Sequence, residues 1–157
     1  MKLNTAVLRR AAAASLITAS AVGFMPMSAP SAVAAPAIVE HARSHIGQWG
    51  GQCKAFVQRM YNETHANNLG TGYYQAYIDA GYHRVAKADV VPGDIIQETD
   101  ASHTRGIHTA IVTGDPVGAN IRVVDSNWVA YEIVGEHSYD PTTHAANNGG
   151  AAYYWHK

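Results

Sequence analysis

The sequence predicts an α+β fold in which N-terminal helices pack on an antiparallel β-sheet. Three observations lead there. Between residues 36 and 81 apolar residues recur every three or four positions. From residue 90 onward they alternate, or run in short β-branched stretches broken by Pro, Gly, Asn and Asp. Helices precede strands without βαβ alternation, so nothing in the pattern builds a parallel sheet.

The elements follow in order. "PAIVEHARSHIGQW" reads as a helix: Pro36 suits a first helical position, and Ile38, Ala42 and Ile46 form one stripe. Gly47 and the pair Gly50-Gly51 stop it. "CKAFVQRMYNETHANN" is a second helix with Phe56 and Met60 on one face, and "YYQAYIDAG" a short third one closed by Gly81. "VVPGDIIQET" is a turn followed by a strand. In the next strand, "GIHTAIVTG", His108, Ala110 and Val112 share a face. After the turn "DPVGAN", the strand "IRVVDSNW" puts Val123, Asp125 and Asn127 on one face. "AYEIVGEH" and "AAYYWHK" are further strands, and "SYDPTTHAANNGG" between them reads as a loop.

The chain begins with Lys2, Arg9 and Arg10, an apolar run, and small residues at Ala32 and Ala34. This is the order of a secretory signal, read as residues 1–34 with cleavage after Ala34. The remainder, residues 35–157, is one domain of 123 residues. It keeps eight of the 11 basic residues and all 12 acidic ones, a formal charge of −4. Such a balance offers no general attraction for nucleic acid or anionic lipid. Beyond the signal, no stretch is long and apolar enough to span a bilayer. The expectation is a secreted monomer.

Cys53 is the single cysteine. It makes no internal disulfide, so it is a buried filler, an intermolecular link or a reactive thiol. It falls at the start of the second helix, where unpaired amides and the helix dipole favour an anion. A cysteine nucleophile needs a base. Of nine histidines, His108 stands inside an apolar strand and needs a partner there, either a catalytic one or a backbone carbonyl. His103, in the "TDASHTRG" loop, is second choice. Asp125 and Asn127 lie on one face of the following strand. His108 meets that face only where opposed residue numbers sum to an odd number. The bland alternative for Asp125-Ser126-Asn127 is a strand-end turn.

"GGQCKAFV", "PGDIIQ", "HTAIV" and "VVDSNW", in this order, resemble the CHAP domain (cysteine- and histidine-dependent amidohydrolase/peptidase) of the wider NlpC/P60-like, papain-like group. The resemblance spans roughly Ile38 to Trp128. It implies a papain-like fold with Cys53 as nucleophile and His108 as general base and then acid. Asp125 stands at a position usually Glu, with Asn127 at the following Asn. It also implies cleavage of amide bonds in peptidoglycan or its stem peptides. The Cys53 amide would be an oxyanion donor, with Gln52 or Gln48 as a second. The chain departs from the pattern in having Asp for Glu, and "CKAF" in place of an aromatic-rich run. Some relatives bind calcium near the cysteine, but "SHIGQWGGQ" has no acid, so no metal or other cofactor is expected.

His41 and His45 are four apart but lack the HExxH glutamate and read as exposed helix residues. Trp128 and the "GYYQAY" aromatics are candidates to line a sugar or peptide groove. Asn62-Glu63-Thr64 matches a glycosylation acceptor but carries no weight within a helix. The favoured reading is a secreted, cell-wall-directed cysteine hydrolase. The alternatives are a catalytically silent wall-binding or inhibitory module on the same fold, and a structural protein with a buried thiol.

Overall fold

A computed structural model describes residues 36–65 and 69–157. The expected signal, residues 1–34, lies outside the described residues. The helices are α1 (Ala37–Arg43), α2 (Cys53–Thr64), α3 (Tyr74–Asp79) and α4 (Pro141–Asn147). The strands are β1 (His83–Val85), β2 (Ile95–Asp100), β3 (Gly106–Val117), β4 (Asn120–Ala130), β5 (Ile133–Tyr139) and β6 (Gly150–His156). They form one antiparallel sheet in the order β1-β6-β2-β3-β4-β5. No helix among the described residues is long and apolar enough to cross a membrane.

The main core lies between the N-terminal helices and one sheet face. Phe56, Val57, Met60 and Tyr61 of α2 are buried against Ile38, Val39 and Ala42 of α1. The same cluster takes in Ile95, Ile111, Val124, Val134 and Trp155 of the sheet. Period-two alternation sends the intervening residues to the other face. There Ile96, Ala110, Val112, Ile121, Val123 and Tyr139 form a second apolar cluster.

The structure corrects several expected boundaries. α1 ends at Arg43, and Ile46 is 44% exposed instead of completing the stripe. The chain turns there because Gly47 bonds across to β5, its amide donating to the Val134 carbonyl at 2.9 Å. β3 runs on to Val117, through residues read as a turn. The segment 138–150, expected as a loop, contains α4. Asp140 accepts from the Thr142 amide at 3.1 Å and Pro141 opens the helix, so Asp-Pro here is a helix start. The short strand β1 was not foreseen.

Candidate active site

Cys53 is the first residue of α2, reached through a loop that β4 and the β4–β5 turn hold in place. The Gly50 amide donates to the Glu132 carbonyl at 2.7 Å, and Ser126 Oγ donates to the Gly51 carbonyl at 2.7 Å. Gly50 lies so close to β4 and β5 that an added Cβ would sit 2.5 Å from Ser126 Oγ and 2.6 Å from Val134 Cγ2. Gly51 has φ +74°, a left-handed conformation that side chains resist. The two glycines thus serve different needs, close packing at one and backbone handedness at the next. Together they set Cys53 at the helix start. The first amides of a helix have no intrahelical acceptor, so the Cys53 N–H is available to an oxygen at the thiol.

His108 comes from β3, on the face of Ala110 and Val112, whereas α2 packs on the opposite face. The two meet at the end of the strand. There Cys53, Lys54, Tyr73, His108, Thr109 and Asn127, among others, line one pocket of about 260 Å³. A larger recess of about 600 Å³ lies between residues 87–91 and the β3–β4 turn and contains no nucleophile–base pair.

The β3–β4 register is set by the pairs Ile111–Val124 and Val112–Val123. Their numbers sum to an odd value, which puts His108 and Asp125 on one face. Asp125 stands one diagonal step from His108, within reach of the side chains. A bulge between Val112 and Gly114 changes the parity only beyond the site. His108 Nε2 and Asp125 Oδ2 are 2.7 Å apart, at 5% and 0% side-chain exposure. Burial disfavours the imidazolium. The hydrogen bond and charge of Asp125, with the neighbouring Cys53 thiol, outweigh it and raise the His108 pKa to about 10. A histidine that uses Nε2 on the carboxylate has Nδ1 left for the thiol.

His137 of β5 also bonds Asp125 Oδ2, at 2.7 Å, while Asp125 Oδ1 is buried with no protein partner. One carboxylate oxygen thus holds two imidazoles. Trp128 stacks on His137 at 4.7 Å and 14° and lies 4.9 Å from His108, covering the pair. It is a lid over the histidines and not part of the pocket wall. Nothing in the sequence separates His137 from the other histidines, because its role depends on the β4–β5 register.

The other expected residues are placed as follows. Asn127, at φ 69°, lines the pocket but bonds away from His108: its Nδ2 donates to Gln52 Oε1 at 3.2 Å, and its Oδ1 accepts from the Glu132 amide at 2.9 Å. Gln52 also donates to Glu132 Oε1 at 3.0 Å, so its amide ties the loop to the β4–β5 turn. Gln48, the other expected oxyanion donor, donates to the Ser44 carbonyl at 3.0 Å and is not among the pocket residues. His103 stacks on Tyr74 at 4.3 Å and is not among the residues that line the Cys53 pocket. Asp94 of the "PGD" turn accepts from the Val91 amide and bonds His156, a structural role.

Among the described residues, two groups of side chains have metal-ligating composition. One is His108, Asp125 and His137 themselves. The other joins His41 and His45 to Glu63 of α2, with His41 Nε2 and Glu63 Oε2 2.7 Å apart. The sequence separates Glu63 from that histidine pair, and only the packing of α1 on α2 unites them.

No protein-family model and no curated protein matches the chain. The crystal structure of the wild-type endolysin LysIME-EF1 is similar, with TM-score 0.55 and 17% identity, covering 74% of this chain and 61% of that one. This chain therefore spans less than two thirds of that protein, and the likeness bears on the fold. Two crystal structures of Ly7917, one of them with the hydrolyzing product of MDP, align at TM-scores of 0.47 and 0.48 and identities of 14% and 15%. They cover 74% of this chain and 59% and 60% of theirs.

Proposed function

We propose that the protein is a secreted cysteine hydrolase of papain-like, CHAP-type architecture that cleaves amide bonds in peptidoglycan. The observation that carries this reading is the buried His108–Asp125 pair facing the pocket that Cys53 lines from a helix start. Asp94 and Glu98 are also buried and paired with histidines, but neither His156 nor His144 lines the Cys53 pocket; His108 joins the carboxylate to the thiol. Likeness in fold to an endolysin supports the choice of substrate.

The chemistry is acyl transfer. Cys53 Sγ, its proton held by His108, attacks the amide carbon, and the carbonyl oxygen becomes an oxyanion facing the Cys53 N–H. The C–N bond then breaks as the His108 imidazolium gives its proton to the leaving amine, and a thioester remains. His108 next takes a proton from water. The resulting hydroxide adds to the thioester carbon, and Sγ departs as the acid forms. Asp125 holds the ring and stabilises its charge throughout. Asn127 and Gln52 secure the wall of the pocket.

The test is digestion of purified peptidoglycan by the protein and by Cys53→Ser, with mass spectrometry of soluble fragments. New amine and carboxylate ends from the wild type alone support the reading. Binding to peptidoglycan without any cleaved amide would instead mark a silent wall-binding module.

A further inference from the structure

Lys54 follows the nucleophile directly and is only 9% exposed, yet it lines the Cys53 pocket. Its ammonium donates to Tyr77 Oη at 3.0 Å and lies 4.2 Å from the centre of that ring. It makes no ion pair among the described residues. The buried carboxylates are treated otherwise: Asp94 pairs with His156, Glu98 with His144, and Asp125 with His108 and His137. A buried cation is costly unless an anion meets it, and the charge of the neighbouring Cys53 thiolate is lost when the thiol is acylated. Burial lowers the Lys54 pKa to about 8, against the opposing pull of Cys53, so the group stays mainly cationic at neutral pH. The chain has no excess of positive charge, with a formal net charge of −1. An acidic substrate would therefore depend on a local cation.

We propose that Lys54 forms a carboxylate-binding subsite beside Cys53, so that the preferred substrate carries a free carboxylate near the amide to be cut. The inference rests on the hydrolase reading for what the subsite serves. In a stem peptide the carboxylate has two sources, the α-carboxylate of a side-chain-linked residue or the free C-terminus. Both offer the same oxygen pair to one ammonium, with Tyr77 Oη held close by. The sequence signal is the "CK" pair itself, at the point where the chain departs from the family pattern it resembles.

The experiment compares alkylation of Cys53 by iodoacetate and by iodoacetamide. Both reagents meet the same thiol, and only one carries a carboxylate. The ratio of the two rates, iodoacetate over iodoacetamide, is expected to fall at least about threefold in Lys54→Met and to be kept in Lys54→Arg. An unchanged ratio in Lys54→Met overturns the subsite and leaves Lys54 a partner of the thiolate or of Tyr77. Because a buried variant can fold poorly, the wild type is also tested alone. Acetate should slow alkylation by iodoacetate more than acetamide does at the same ionic strength, and equal slowing overturns the proposal.

Stem-like peptides with the side carboxylate or the C-terminal carboxylate amidated then identify the source. A charge-assisted hydrogen bond predicts a preference of about tenfold or more for the free form at one of the two places. Lys54→Met should bring that ratio toward one. Cleavage of all forms at equal rates contradicts the subsite but not the hydrolase. Cleavage of none, with the reagent ratio still dependent on Lys54, contradicts the hydrolase but not the anion site.

Discussion

Gly50→Ala tests whether the loop before Cys53 is packed as described. The backbone there is not left-handed, so alanine is conformationally allowed and the effect is steric. Its Cβ would lie 2.5 Å from Ser126 Oγ, 2.8 Å from Ser126 Cβ and 2.6 Å from Val134 Cγ2, where about 3.5–4.0 Å is ordinary contact. Ser126 and Val134 are buried, at 0% and 1% exposure, so neither has room to retreat. Overpacking of this kind costs about 1–3 kcal/mol. Moving Ser126 also strains its 2.7 Å bond to the Gly51 carbonyl, worth about 1 kcal/mol. Loss of unfolded-chain freedom returns about 0.4–1 kcal/mol. The net is a destabilisation of about 2–3 kcal/mol, or a Tm roughly 10 °C lower for a domain of this size. Thermal and urea unfolding followed by circular dichroism measure it. Gly51→Ala is the control: its Cβ meets only the Trp49 ring at 3.5 Å, so about 1–2 kcal/mol is lost through φ alone. If Gly50→Ala is as stable as the wild type, or costs less than Gly51→Ala, the close approach of this loop to β4 and β5 is refuted.

Asp125→Asn should lower turnover of peptidoglycan at least about a hundredfold, because it removes the charge that orients and stabilises the His108 imidazolium. Asn127→Ala should cost less than about tenfold, since Asn127 bonds Gln52 and the Glu132 amide and not the imidazole. The folded His108 pKa of about 10 lies above the unfolded value of about 6.5. The His108–Asp125 pair therefore contributes fully below about 6.5, and its contribution is lost as pH rises through about 10. Urea midpoints across that window should fall more steeply in the wild type than in Asp125→Asn, and parallel profiles would contradict the pairing. Asp140→Ala removes the cap of α4 and a partner of Lys87, and should cost about 1 kcal/mol in urea unfolding, with Asp140→Asn retaining most of the stability.

The α+β order and the antiparallel sheet are legible in the sequence, because the helical period ends at Gly81 and strand periods take over from about residue 90. Cys53 at a helix start and His108 inside a strand were equally readable. Each is a local fact, a glycine pair before an apolar helix and a polar residue in an apolar run. What escaped is tertiary. The β3–β4 register puts Asp125 and Asn127 on the face of His108, and the left-handed turn at Asn127, with its bonds to Gln52 and the Glu132 amide, leaves Asp125 to meet the imidazole. The β4–β5 register brings His137 to the same carboxylate oxygen. Lys54 shows in the sequence only as a departure from a motif; its burial with no ion pair among the described residues comes from the packing of α2 beside Tyr77. α4 was missed because Asp-Pro begins turns and helices alike. Ile46 was overcounted because Gly47 is drawn to β5 before the stripe completes.

The most direct test of the central claim, an assembled Cys53–His108 pair, is the rate of Cys53 alkylation by iodoacetamide at neutral pH in the wild type and in His108→Ala. The account predicts rapid modification of the folded wild type and a rate at least about tenfold lower in the variant, with both proteins shown to be folded by circular dichroism. Slow and equal rates in the two would contradict it, and would make Cys53 a packed thiol and not a nucleophile.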